Sequence, residues 1–183
     1  RDGVDRARHQ VASMLGCHDD EVLFTSGGTE SDNHAIKGIA GADRARGNHA
    51  ITSNIEHPAV EEVCRYLEIQ GLEVTYLPVD GHGLIDPQQV EDAITDRTIM
   101  VTIMHANNEV GTIQPIREIA DIAHRHGAVM HSDCAQSVGK IPVDVDDLGV
   151  DLLTIAGHKL YAPKGIGVLY IRRGVEIEKF MHG

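Results

Sequence analysis

The sequence predicts an α/β fold, with a mostly parallel sheet covered by helices on both faces. Short strand-like apolar runs alternate with longer amphipathic stretches along all 183 residues. Polar clusters rich in glycine, histidine and asparagine follow the strand-like runs instead of interrupting them. Helices between strands imply parallel pairing, and open sheets of this kind take ligands at the carboxyl ends of their strands. The pattern therefore predicts both an architecture and the rim where its chemistry belongs.

The elements follow in order. Val4, Val11, Met14 and Leu15 place an amphipathic helix already under way near residue 1. Val22 to Thr25 reads as a short buried strand, and Ser26-Gly27-Gly28-Thr29 turns it into a helix through about Gly38. Ala50 to Ser53 is a strand. Pro58 opens a helix whose Val60, Val63, Cys64 and Leu67 line one face. Leu72 to Leu77 is a strand, and Asp86 caps a helix beginning at Pro87. Ile99 to Met104 is a central strand and Ile116 to His126 a helix. Ala128 to Ser132 and Asp151 to Ile155 are strands, and Gly165 to Ile171 closes the series as one arm of a hairpin. No repeat or low-complexity tract interrupts them.

Composition narrows the class. The chain is long enough for one domain with a substantial core, and 42% hydrophobic with 24% charged residues is ordinary for a globular protein. A net charge of −12 argues against nucleic acid and against an anionic membrane surface as partners. No apolar run has the length of a membrane span. Cys17, Cys64 and Cys134 are odd in number and widely spaced, which points away from a disulfide framework and toward a reducing cytoplasm.

Five polar clusters converge on the predicted rim: Ser26 to Thr29, Asn54 to His57, His105 to Glu109, Asp133 with Gln136, and His158 with Lys159. Gly28 and Thr29 open a helix, where free amides and the helix dipole favour an anion; a plain tight turn is the competing reading. Their spacing matches neither the dinucleotide fingerprint nor the P-loop. His57 can stack on a ring and move protons, or merely cap its helix. His124 and His126, near His131, lack a ligand-like spacing and read as a solvated helix end, so no metal is expected. Lys159 after one strand and Asp133 after an earlier one form the pair that pyridoxal phosphate requires. The amine forms a Schiff base, and the carboxylate keeps the pyridine nitrogen protonated so that the ring accepts electrons.

The sequence resembles the large cofactor-binding domain of cysteine desulfurases, within the aminotransferase class V, fold-type I pyridoxal phosphate enzymes. The resemblance lies in Phe24 to Asn33, Glu56-His57, His105 to Gly111, Asp133 to Lys140 and Gly157 to Gly165, in family order across essentially the whole chain. It implies a three-layer transferase large domain over residues 1–183. It further implies Lys159 as the Schiff-base lysine, Asp133 as the pyridinium partner and His57 as the ring-stacking catalytic histidine. Gln136 would bond the phenolic oxygen, Asn108 would contact the cofactor and orient substrate, and Gly28, Thr29 and His158 would hold the phosphate. The implied substrate is L-cysteine, with a homodimer and a sulfur-acceptor protein such as an iron-sulfur scaffold as partners. Selenocysteine lyase is the nearest alternative reaction.

Two positions depart from the family pattern. Ala156 stands where many relatives have serine, and Cys134 replaces a common alanine. The family's leading substrate-side segment and its C-terminal small domain, with the nucleophilic cysteine and the substrate-binding arginine, have no counterpart here. The expectation is a fragment or truncated relative. Cys64 belongs to an apolar helix face and Cys17 to a connecting loop. Cys134 lies near the site but beside Asp133, which disfavours a thiolate. A cofactor-binding piece without complete turnover is therefore the competing non-enzymatic reading of this chain.

Overall fold

A computed structural model describes residues 2–182; Arg1 and Gly183 lie outside the described residues. The helices are α1 (Asp2–Leu15), α2 (Gly28–Ala42), α3 (Pro58–Ile69), α4 (Pro87–Ala93), α5 (Ile116–Arg125) and the single turn α6 (Val145–Leu148). The strands are β1 (Val22–Thr25), β2 (His49–Ser53), β3 (Glu73–Leu77), β4 (Thr98–Thr102), β5 (Val129–Asp133), β6 (Leu152–Ala156) and β7 (Gly167–Ile171). They form one seven-stranded sheet in the order β1-β7-β6-β5-β4-β2-β3. Strands β3, β2, β4, β5 and β6 pair in parallel, and β7 runs antiparallel to both β6 and β1. Only β7 is reversed, so the other six strands deliver their carboxyl ends to one rim.

The interior strands β4, β5 and β6 carry buried residues almost throughout, as strands covered on both faces must. Ile36, Ile39, Val60, Val63, Cys64 and Leu67 of α2 and α3 cover one face with Met100, Leu152 and Leu169. Leu15, Ile116, Ile119 and Ala123 of α1 and α5 cover the other with Val101, Met130 and Leu153. This is the expected three-layer α/β fold, with β5 at its centre.

Several sequence expectations hold in detail. His57 and Asp86 are N-caps directly before Pro58 and Pro87, and the Asp86 carboxylate accepts from the Gln88 N–H at 2.9 Å. β7 also pairs with the strand before it, as a hairpin arm should. Others need correction. In α1, Leu15 and Ala12 are buried while Val4 and Met14 stay exposed, so the buried stripe is narrower than the apolar pattern. α2 runs one turn beyond Gly38 because Gly38 and Gly41 are not stops. Residues 175–179 cross the helix there, Glu178 N–H donates to Gly38 O at 2.9 Å, and a Cβ on Gly38 would meet Ile177 Cβ at 2.9 Å. α6 went unread because four residues show no helical period; the Asp144 carboxylate caps it by accepting from Asp146 and Asp147 N–H.

Candidate active site

Two tiers of side chains meet at the rim. The upper tier stands just past the strand ends and remains exposed: Thr29 in the first turn of α2, with His57, Asn108, His158 and Lys159. The lower tier is an acidic floor of Asp133, Asp32 and Glu56, all less than 10% exposed. One cavity is lined by Gly28, Thr29, Asp32, His57, Asn108, Asp133, Gln136, His158 and Lys159, with Ala59, Met104, Ala106, Ala135 and Ala156. All eight residues singled out from the sequence thus share one concavity.

Each is held by local chemistry. Lys159 lies in a 3-10 turn, Gly157–Leu160, directly after β6. The turn is pinned where Gly157 N–H donates to Ile166 O at 3.0 Å, and it exits through Tyr161 at φ 61°. A tyrosine in the left-handed region is uncommon and marks a backbone set by its surroundings. His57 Nδ1 accepts the Ala59 N–H at 3.1 Å, so the neutral ring carries its proton on Nε2. The capping and chemical readings of His57 are therefore compatible. Asn107, not Asn108, builds its loop. Its amide donates to Ile55 O at 3.0 Å, and its Oδ1 accepts from Glu109 N–H at 2.9 Å and Val110 N–H at 3.0 Å. That leaves Asn108 on the cavity wall.

Asp133 ends β5, and its Oδ1 accepts the Ala135 N–H at 2.9 Å. Burial pushes this carboxyl above the usual range, while the Ala135 N–H, His57 and Lys159 pull it back. Asp32 stands higher still through burial and the adjoining Asp133, with the Thr154 hydroxyl partly compensating. Burial also raises Glu56 to about 8, although its carboxylate accepts from Ser53 Oγ at 2.5 Å and from Met104 N–H at 3.0 Å. Gln136 Oε1 accepts from Lys140 Nζ at 2.7 Å, which fixes the amide at the cavity edge.

Asp32 and Glu56 escaped the sequence reading as site residues. Asp32 precedes Ala35 by three residues and Ile36 by four, so a charge stands in the apolar stripe of α2. That misplaced charge was the available signal. Glu56 gave none beyond its neighbour His57. His131, on the strand expected at Ala128 to Ser132, is fully buried between the hydroxyls of Thr102 at 2.7 Å and Thr154 at 3.1 Å. Burial lowers it to about 3. His124 faces Asp151 and His126 faces Glu91, and no group of three or more His, Cys, Asp or Glu among the described residues could hold a metal.

None of the cysteines resembles a poised nucleophile. All three are free. Burial raises Cys17 to about 11 and both Cys64 and Cys134 to about 12. Cys134 follows Asp133 in sequence but is fully buried, and its thiol is directed to Ser132 Oγ at 3.7 Å.

An open α/β sheet that brings a lysine, a histidine and a buried aspartate to one rim beside a helix N-terminus defines the class, and the chain belongs to the aminotransferase class-V family, which it matches over residues 1–183. Within that family it is similar to proteins named cysteine desulfurase IscS. The one from Dictyoglomus turgidum is 52% identical over 183 residues, covering 100% of this chain and 46% of the relative. The one from Methanosarcina thermophila is 53% identical over 180 residues, covering 98% and 45%. The chain thus spans a little under half the length of these relatives. Among solved structures, SspA in complex with cysteine superposes with a TM-score of 0.96 at 46% identity, covering 100% of this chain and 53% of SspA. A NifS-like protein superposes at 0.94 with 41% identity, covering 98% and 50%.

Proposed function

We propose that residues 1–183 form the cofactor-binding large domain of a pyridoxal phosphate-dependent cysteine desulfurase, an enzyme that removes sulfur from L-cysteine and leaves alanine. The observation carrying this reading is the shared cavity, in which Lys159 and His57 act electrostatically on a buried Asp133 beside the N-terminus of α2. The residues present fit the cofactor. Gly28 is a cradle that a side chain would fill, since a Cβ there would lie 3.2 Å from Ala156 Cβ. A fifteen-residue helix opens at that point with no side chain capping it, which leaves amides for a phosphate.

When bound, pyridoxal phosphate supplies an electrophilic carbon for an amine and an electron sink for bonds broken at the amino acid. Lys159 would hold the cofactor and would take the proton from the substrate Cα. Asp133 would hold the ring nitrogen's proton, His57 would stack on the ring and shuttle protons, and Gln136 would bond the phenolic oxygen. Gly28, Thr29 and His158 would clamp the phosphate, and Asn108 would orient the substrate. A thiolate from outside these residues must then accept the sulfur, because all three thiols here are held protonated at neutral pH.

The IscS names and the cysteine-bound neighbour support sulfur over selenium as the element transferred. In the whole protein a homodimer and a sulfur-acceptor protein, such as an iron-sulfur scaffold, complete the proposal. Unpaired cysteines throughout support a reducing, cytoplasmic setting. No helix among the described residues is long and apolar enough to cross a membrane. The test is the full-length protein given L-cysteine and a thiol reductant, with alanine and sulfide measured together. Equal amounts of both, abolished by Lys159→Ala, are expected; undiminished turnover in Lys159→Ala contradicts the assignment.

A further inference from the structure

Asp32 has no part in the roles assigned above, yet it lines the same cavity. It sits on the second turn of α2, 1% exposed, and its Oδ1 has no hydrogen-bond partner among the described residues. The nearest basic group is His131, with Nε2 3.7 Å away. His131 cannot neutralise it. Both ring nitrogens already face hydroxyls, those of Thr102 and Thr154, and burial holds the ring uncharged at neutral pH. The titratable groups facing Asp32 from the packed elements are Asp133 at the end of β5 and Glu56 before α3, both acidic. The basic groups of the cavity, His57 and Lys159, act on Asp133 instead. Two carboxylates that share a dry site cannot both ionise cheaply, and the proton stays on the one with fewer stabilising partners.

We propose that Asp32 is a positioning residue that carries a proton in the resting protein and leaves Asp133 as the charged carboxylate that would serve the cofactor's ring nitrogen. The inference rests on the cofactor reading above. It gives the floor a division of labour. Asp133 has the Ala135 N–H donor and two basic neighbours, His57 and Lys159, and supplies the charge. Asp32 has a hydroxyl for company and supplies only shape and a donor. A second charge at Asp32 would add to that of Asp133 and displace the titration of the lysine-bound cofactor.

The experiment uses the full-length protein with pyridoxal phosphate bound, and two readouts. Infrared spectra of wild-type protein labelled in its aspartate side chains should show, at neutral pH, a protonated-acid carbonyl band that moves with the label. Asp32→Asn should remove that band, and Glu56→Gln should leave it. A band removed by Asp133→Asn and kept in Asp32→Asn would overturn the proposal, as would the absence of any such band from the wild type. The second readout is the pH midpoint of the visible absorption of the lysine-bound cofactor. Asp32→Asn and Asp32→Leu, both uncharged, should move it by less than about half a unit, since they replace a group that is already neutral. Removing a real charge beside the ring moves such a midpoint by about one unit or more, and a displacement of that size would contradict us. A protein with no visible band at all would instead sink the cofactor reading, while the infrared arm would still report on Asp32.

Discussion

Asp133 is pulled in two directions, and its chemistry depends on the balance. Burial favours the neutral acid, whereas the Ala135 N–H, His57 and Lys159 favour the carboxylate. A protonated ring nitrogen would add the decisive partner. Asp133→Asn in the full-length protein should keep the fold, because an amide fills the same space, and should lower kcat/KM by about 100-fold or more. Near-normal turnover with an unshifted cofactor spectrum would contradict that role. Glu56 yields a prediction about stability. Its carboxyl rises from 4.5 to about 8 on folding, so between those values the folded state binds the extra proton. Stability should therefore fall as pH rises through that window, and Glu56→Gln should flatten the fall when urea midpoints are compared across pH. An unchanged slope would show that Glu56 is not the group responsible. Lys159, Asp133 and His57 could be read from sequence because each follows a strand and carries distinctive chemistry. Asp32 left only the trace of a charge within the apolar stripe of α2, and Glu56 left none, because their importance comes from burial among other carboxyls.

Two helix N-termini carry much of the rim, and each offers a substitution whose effects on stability and on the ligand should separate. His57 caps α3 through Nδ1, so His57→Ala should cost about 0.5–2 kcal/mol of stability by thermal or urea unfolding, in addition to any loss of activity. His57→Asn restores a capping oxygen and should recover the stability without the activity. Gly28 opens α2 against Ala156. Gly28→Ala should weaken pyridoxal phosphate binding by about tenfold in equilibrium dialysis, since the added methyl occupies the cradle, while helix content stays unchanged. Equal affinity would remove Gly28 from the phosphate site. Helices and strands were legible wherever the apolar period persisted for several residues. The reading failed where tertiary contact overrode local signals, as at Gly38 and Gly41 under residues 175–179. It also failed where an element was too short to show a period, as in α6.

The sheet as a whole gathers the chemistry, because six strands pointing one way bring five separated clusters to one rim. That arrangement was readable from the alternation of elements, whereas the strand order and the antiparallel β7 depended on pairings that no local pattern states. The same view of the molecule limits what these residues can do alone. Burial raises Cys17 to about 11 and holds the other two thiols still more firmly, so little thiolate exists at neutral pH. Residues 1–183 given pyridoxal phosphate, cysteine and a reductant should therefore yield no sustained alanine and sulfide. Many turnovers, lost in Cys134→Ser, would make Cys134 the nucleophile after all. Covalent attachment of the cofactor at Lys159 can be tested more directly. The full-length protein should be yellow when isolated with pyridoxal phosphate, and borohydride should fix the cofactor to one lysine. Peptide mapping should find the label on Lys159; finding it on Lys140 or Lys164 would contradict the account.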